Sequence, residues 1–563
     1  MHGRPTLESD SEAHASHPDR WRILGVLVLA LVVTSVDHTI INVAMPRLVG
    51  DLGATAAQLQ WVVAAYTVVF AGLLLTAGSA GDRFGRRHAL IAGLATFLAG
   101  SVAAASSSST TALIVSRGVM GLGGALIMPT TLSILVNVFG SPRERAKAIA
   151  VWTAASGAGI ALGPIVGGAL MRNFSWSSVF WVNVPLLAVA LVGAVHLVPE
   201  SRDPHATRLD PVGAVLSIVG IGSLVYAIIQ APDSGWTSTA SLRWFALGAT
   251  TAVAFVAWEL RRTDPMLDLR LFRHRGFSAG SPTTTLLFSA MAGTVFLHSQ
   301  YLQFVLRYTP LAAGFALVPA ALGMLVGTGA GAHTASAFGG RVAVAAGTFV
   351  AAMGIATQAA FADGSSYVPT GIGLLLFGLG AGIAMAPATD LIMATLPTAR
   401  AGVGSAVNDT VRELGGALGV AIIGSIAATG YASTMRGQVA DVPGMGAAER
   451  QVASDNVGAA LELSHHLGTR ADDVATLARS AFVDAMSTSL WVAVGVTLVA
   501  TVVALVYLPR PARSADASSP SGHTGHAGHG AHRHPVAAGA PSSGRPSHHR
   551  PHGSVDASPQ DVI

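Results

Sequence analysis

The chain has 563 residues, 51% hydrophobic and 11% charged, with a formal net charge of +4. A soluble globular chain carries roughly 25% charged residues. The deficit, with apolar runs of roughly eighteen or more residues along most of the sequence, predicts an all-α polytopic membrane protein. Cysteine is absent, which excludes disulfides, a thiolate nucleophile and Cys-bound zinc. The only lysine, Lys147, sits in no Gly-x-x-x-x-Gly-Lys-Ser/Thr loop, and His-Glu-x-x-His does not occur. ATP hydrolysis through a Walker loop is excluded, the zinc-protease signature is missing, and no enzymatic activity or catalytic residue is expected.

Residues 1–21 read as a short polar cytoplasmic tail without a cleavable signal. Spans are predicted at about 22–45, 58–79, 88–107, 111–135, 146–171 and 177–198, followed by a pair at about 210–231 and 241–260. Six more follow at about 278–305, 312–332, 341–361, 369–394, 403–430 and 486–508, giving fourteen. The segment 431–485 reads as a small external subdomain, with a helical hairpin over 447–467 and 471–485. The tail 509–563 is rich in Ser, Gly, Pro and His and reads as disordered. His523, His526, His529 and His532 recur every three residues, but a Gly- and Pro-broken tract cannot preform a metal site, so none is expected.

Orientation follows from the basic residues of the short loops. Arg83, Arg86 and Arg87 lie between spans two and three, and Arg143, Arg145 and Lys147 between four and five. Arg261, Arg262, Arg270, Arg273 and Arg275 lie between eight and nine. These alternate loops share one side, which places both termini in the cytoplasm. The segment 431–485 is the exception, external yet carrying Arg436, Arg450, Arg470 and Arg479.

Within the first span lies Val36-Asp-His-Thr-Ile-Ile-Asn-Val-Ala-Met-Pro46. An acid there is costly against lipid and marks a functional candidate, the plainer reading being a hydrogen bond to a neighbouring helix. His38 points to another face, where packing or a local hydrogen bond explains it. Gly78-Ser-Ala-Gly-Asp-Arg-Phe-Gly-Arg-Arg-His88 joins spans two and three. Gly81 and Gly85 allow a tight turn, Asp82 suits a helix dipole or an Arg fork, and Arg83, Arg86 and Arg87 suit acids or anionic lipid. Arg117 lies inside span four, where no acid of its own span can pair with it. Gly159, Gly163 and Gly167 recur every four residues and form a smooth helix face for close approach, and Pro164 permits a bend. Such a face suits either bundles that rock on each other or static packing. Asp409 and Glu413 share a helix face in span thirteen, with Arg412 offset; solvated capping or an Arg412 pair is the alternative to function. Asp390, near the inner end of span twelve, is a weaker candidate.

The loop Gly78–His88 resembles the signature loop of the major facilitator superfamily. Leu113-Ile-Val-Ser-Arg-Gly-Val-Met-Gly121 resembles the fourth-helix motif of its proton-coupled members, and Gly157–Gly168 the fifth-helix antiporter motif. The segment Asp37–Pro46 resembles the first-helix motif of the fourteen-span drug:proton antiporters of the QacA/EmrB type. Trp181-Val-Asn-Val-Pro185, Tyr301-Leu-Gln303 and Gly402–Gly416 are similar as well, so the resemblance covers most of residues 30–430.

The resemblance implies the major facilitator fold: two six-helix bundles, 22–198 and 278–508, with two inserted helices in 210–260. It also implies that spans one and four are neighbours, so Arg117 is expected near Asp37, adjusting its proton affinity. Asp37, Arg117, Asp409 and Glu413 are then the proton-coupling residues, and Gly78, Asp82, Arg83, Gly85, Arg86 and Arg87 the gating loop. Gly159, Gly163, Pro164 and Gly167 form the antiporter seam. Asp390, Asn42, Tyr301, Gln303 and Asn408 are candidate substrate contacts. The implied function is proton-coupled multidrug efflux by alternating access, exporting lipophilic cationic or amphipathic compounds across a bacterial-type cytoplasmic membrane. Span ten lacks the acid that some exporters of divalent cations carry, so dications are not expected. No cofactor beyond the proton gradient and no nucleic-acid partner is implied; drugs, protons and membrane lipids are the partners. The rivals are an exporter dedicated to one antibiotic or metabolite, an importer, and a non-transporting receptor or scaffold.

Overall fold

The computed structural model describes residues 16–203, 209–361, 366–394, 401–440 and 442–509. The start of the amino-terminal tail and the His-rich tail, read above as polar and disordered segments, lie outside the described residues. Among the described residues the regular structure is helical throughout. A chain in lipid must satisfy its backbone polar groups internally, and helices do so within one segment.

The first six crossings are α1 (Arg20–Leu52), α2 (Ala56–Phe84), α3 (Arg86–Ala105), α4 (Thr110–Val138), α5 (Pro142–Asn173) and a broken sixth, α6 (Ser178–Trp181) with α7 (Asn183–Leu197). Gly53 ends α1 at φ 60°, and Thr55 starts α2 with a capping box to Gln58. The inserted pair is α8 (Pro211–Ser234), whose amino terminus Asp210 caps through Gly213, and α9 (Thr239–Arg261). The second set is α10 (Arg275–Gln300), the pair α11 (Pro310–Ala316) and α12 (Val318–Phe338), α13 (Gly340–Phe361), α14 (Val368–Met393) and α15 (Ala401–Ala440). It ends with α16 (Ala447–Asp455), α17 (Val457–Ser464) and α18 (Ala471–Tyr507).

Packing repeats between the two sets. In the first, α1 packs on α5, α2 and α3 on α4, and α7 on α1 and α3; in the second, α10 packs on α15, α12 and α13 on α14, and α18 on α10 and α13. Such duplicated packing is a parallel internal repeat. Helix α8 lies against α2 and α15, while α9 packs chiefly on α8.

Two expectations change. Thirteen described helices are long and apolar enough to cross a membrane. The fourteenth segment, α10, is a 26-residue helix that falls outside that set. It carries Thr283, Thr284, Ser289, Thr294, His298 and Gln300, and packing against the other helices rather than lipid buries them. The external subdomain expected over 431–485 is smaller: α15 runs on to Ala440, and the hairpin's second arm, 471–485, is the first part of the continuous α18, against which α17 packs. What remains between them is a short cap of α16 and α17. It lies over the α1–α2 turn, where Asn456 Nδ2 donates to the Ala54 carbonyl (3.4 Å) and Gly458 packs on Val49. Charged residues such as Asp472, Asp473 and Arg479 keep the start of α18 from reading as a span, yet a helix extending past the bilayer tolerates them.

The two sets meet closely at the end distal to the basic loops. Ser299 donates to the Asn42 carbonyl, Gln303 to the Val43 carbonyl (3.1 Å) and Ser425 to Gln60 Oε1 (3.2 Å). At the other end an apolar cluster of Leu75, Leu271, Phe277, Ile392 and Val407 joins α2 to the second set.

Candidate transport site

Asp37 is fully buried near the middle of α1, and its two oxygens are both engaged. Arg117 of α4, 1% exposed, donates from Nη1 to Asp37 Oδ2 at 2.5 Å. Asn183 of α7, also 1% exposed, donates to Oδ1 at 2.9 Å. Arg117 Nε donates to the Val62 carbonyl (3.0 Å), and its guanidinium lies 4.7 Å from the Tyr66 ring centroid. A buried ion pair is tolerated when hydrogen bonds and a polarisable face complete it. Local sequence builds this. A Cβ at Gly121 would lie 2.5 Å from the Tyr66 backbone oxygen, so glycine there lets α2 and α4 approach closely enough to set the Tyr66 ring against Arg117. Pro185 lacks an N–H, which frees the helix at Val182 and leaves Asn183 turned inward at the start of α7. The expected Asp37–Arg117 pairing is present. Asn183 was missed as a site residue, although it stands in the motif Trp181–Pro185; a buried amide facing an acid span is its signal. His38 packs edge-on against Tyr66 at 5.7 Å.

The second charge cluster is on α15. Asp409 and Arg412 form an ion pair at 3.6 Å, beyond hydrogen-bond distance, and Arg412 lies 4.9 Å from the Phe288 ring centroid of α10. Arg412 Nε, Glu413 Oε2 and Asn408 Oδ1 are buried without a hydrogen-bond partner among the described residues. Gly416 of α15 lies against Thr67 of α2, the residue after Tyr66, so α15 passes beside the first cluster. Asp390 is exposed at the end of α14. Tyr301, fully buried, opens a π-helical turn at Tyr301–Val305, and Asn42 and Gln303 are used in the distal contact between the sets. Among the described residues no three His, Asp or Glu side chains converge to hold a metal ion.

The loop motif is tied within the first set. Gly85 takes φ 118°, which disfavours any other residue. Asp82 pairs with Arg86 (2.8 Å), and the Asp82 carbonyl accepts from Asp203 N (3.0 Å). Glu200, at the end of the sixth crossing, takes His88 and the Arg87 backbone N–H (3.3 Å), while the Arg87 side chain donates to the Val195 carbonyl. Arg83 is exposed beside Phe84, and Gly78 touches Pro129. Glu200 is a second residue not singled out from sequence; an acid just after a span on the basic side was its only mark.

The glycine face corrects an expectation. Gly159, Gly163 and Gly167 face Ser35, Thr39 and Ile40 of α1, inside the first set, rather than the other bundle. The contact between bundles uses the neighbouring face. Gly168 lies against Pro310 and Leu311, and the Pro164 carbonyl faces Gly314 of α11. A helix turns about 100° per residue, so the four-residue stripe shows that one face is smooth without showing which neighbour it meets.

The chain matches the model of the Major Facilitator Superfamily over residues 27–420. It is 34% identical over 485 residues to "Multidrug efflux pump LfrA" of Mycolicibacterium smegmatis, covering 86% of this chain and 95% of that one. It is 31% identical over 509 residues to "Tetracenomycin C resistance and export protein" of Streptomyces glaucescens, covering 90% and 94%. In fold it is similar to the inward-facing, unoccupied crystal structure of a bacterial homolog of the human lysosomal transporter Spinster. There the TM-score is 0.59 at 17% identity, over 88% of this chain and 100% of that one. A D-xylose-proton symporter gives 0.57 at 14% identity, over 87% and 98%. With its duplicated six-crossing sets and buried Asp37–Arg117 pair, this multi-pass membrane chain belongs to the Major Facilitator Superfamily.

Proposed function

We propose that the protein is a proton-coupled multidrug exporter working by alternating access, with the basic loops and both termini on the cytoplasmic side. The observation that carries this reading is the closed polar cage around Asp37. Each oxygen of that carboxylate has a donor and the group is sealed from solvent, so a proton reaches it only when the helices around it move apart. Withdrawal of the cation favours protonation, and its return favours release. A rearrangement that moves α4 or α7 against α1 therefore couples proton binding to the conformation of the first set. The relatives named for multidrug efflux and for export of tetracenomycin C support drugs as cargo. Asp409 and Glu413 supply negative charge in the second set for cationic or amphipathic substrates. Asn408, Tyr301 and Gln303 would adjoin the path when the distal contact opens. The loop Gly78–Arg87 and the α5 face would set which end opens.

The test uses inside-out vesicles energised with a proton gradient, following a fluorescent lipophilic cation in wild type and Asp37→Asn. Uptake that collapses with a protonophore and with the variant supports antiport through Asp37. Equal gradient-driven uptake by both shifts the coupling to Asp409 or Glu413. No uptake by wild type across a broad panel of lipophilic cations removes the multidrug reading and favours export of a single compound.

A further inference from the structure

We propose that Arg412 is a tethered stand-in for the transported cation, and that Phe288 and Asp409 are the cation subsite it occupies. The inference rests on the efflux reading for the identity of the cargo. Arg412 has what a bound organic cation needs: an aromatic face at 4.9 Å and a carboxylate at 3.6 Å. It is held loosely all the same. The carboxylate contact exceeds hydrogen-bond distance, and Nε is buried without a partner among the described residues. A firmly held arginine places its donors in hydrogen bonds, as Arg20 does with Glu144 at 2.9 and 3.0 Å in this same chain.

The surroundings are short of donors. Among the described residues Glu413 Oε2 and Asn408 Oδ1 are buried acceptors without partners, on the same helix and within four residues of Arg412. A buried acceptor left unmet is costly, and a cation or an N–H-bearing ligand supplies what both lack. Beside the guanidinium runs a narrow cleft lined by Thr283, Thr284, Phe288, Met385 and Thr389, about 10 Å³ in volume. That is room for a water-sized group. Arg412 itself is about a quarter exposed, so solvent, not the cleft, gives it a place to swing when an incoming cation takes its position over Phe288.

The class of ligand follows: a planar or quaternary organic monocation, able to stack on one ring and neutralise one carboxylate. Arg412 then acts as an internal competitor that keeps Asp409 from standing uncompensated while the site is empty.

The test is equilibrium binding of ethidium to the purified full-length protein in detergent, read by fluorescence, alongside proton-driven ethidium uptake in proteoliposomes. Arg412→Gln should tighten ethidium binding about fivefold or more, and Phe288→Leu should weaken it by a similar factor, the size expected of a desolvated cation–π contact. Arg412→Lys should fall between wild type and Arg412→Gln, because lysine keeps the charge but loses the stacked plane. Arg412→Gln weakening or not changing ethidium binding, or Phe288→Leu leaving it unchanged, overturns the subsite. An equal gain by Arg412→Gln for an uncharged dye of similar size also overturns it, since relief of competition is specific to cations. The subsite and the efflux reading fail separately. Binding that follows the predicted order without proton-driven uptake keeps the subsite and removes the proton-coupled exporter; uptake without that order does the reverse.

Discussion

The two bundles repeat each other's packing but treat charge in opposite ways. In the first, Asp37 and Arg117 are sealed from solvent, and both carboxylate oxygens are hydrogen-bonded. In the second, Asp409 and Arg412 stand 3.6 Å apart, with Arg412 Nε and Glu413 Oε2 unpartnered among the described residues. A complete network specifies one arrangement and resists change, whereas an incomplete one has room for a ligand. The duplicated fold thus gives one half a proton-responsive pair and the other an accepting surface. Tyr66 lies at the boundary, under Arg117 and next to Thr67, which faces Gly416 of α15.

The sharpest way to break this comparison is to neutralise one acid in each cluster. Asp37→Asn leaves Arg117 buried without a counter-charge, and the loss of thermal stability should correspond to about 3–5 kcal/mol. Arg117→Gln should cost a similar amount. The double variant should cost less than the sum, with an interaction energy of about 0.5–3 kcal/mol in a double-mutant cycle. Glu413→Gln loses no hydrogen bond from Oε2 and should change stability by less than about 1 kcal/mol while still impairing cation uptake. Equal destabilisation by Asp37→Asn and Glu413→Gln would show that the two clusters do not differ.

Much of this was legible in the sequence, and the boundary of what was not is physical. Asp37 and Arg117 could be paired because a buried charge in an apolar span needs a partner. Asn183 stayed hidden because a neutral amide beside a membrane end has many ordinary uses, and only the fold shows that α7 turns it onto Asp37. The partner of the α5 glycine stripe was not legible either. Period four fixes a helix face, but the bundle decides whether α1 or α11 covers it. The lengths of α15 and α18 were underestimated because hydropathy marks where lipid ends, whereas a helix ends where its backbone bonds end. The polar run of α10 has the opposite history: it was read as a span, and its hydroxyls are compatible with that because they face other helices.

The same α5 helix offers a smaller test, since its two glycine faces meet different bundles. Gly163→Ala places a methyl group against Thr39 and the Val36 carbonyl within the first bundle. Overpacking of this kind should cost about 1–3 kcal/mol of stability. Gly168→Ala instead sets its methyl 2.6 Å from Leu311 Cα, across the contact between bundles. It should leave the first bundle intact and disfavour distal closure. Cysteine pairs introduced at the distal ends of α1 and α10 should then crosslink more slowly in Gly168→Ala than in Gly163→Ala. The reverse order would place the moving surface on the glycine stripe after all.

The smallest effect is expected in the cap over the distal end, where an acid answers to pH outside both charge clusters. Burial pushes the Asp455 carboxyl up from the ordinary aspartate value, and the nearby Asp233 raises it further. Hydrogen bonds from Asn456 Nδ2 (2.6 Å) and the Ala56 backbone act against that rise. Arg436 lines the same cleft. A carboxyl raised in the folded state binds its proton more tightly folded than unfolded, so stability falls as pH climbs through the folded value and returns on acidification. The cap, with its Asn456–Ala54 contact, should therefore exchange its amide hydrogens more slowly in mildly acid buffer than at neutral pH, after correction for intrinsic exchange. Asp455→Asn should flatten that dependence at the slow, acid-like level, because it removes the charge while keeping an acceptor for Ala56. A cap whose corrected protection rises with pH would mean that the charged form is the better held one, with the Ala56 and Asn456 donors outweighing burial.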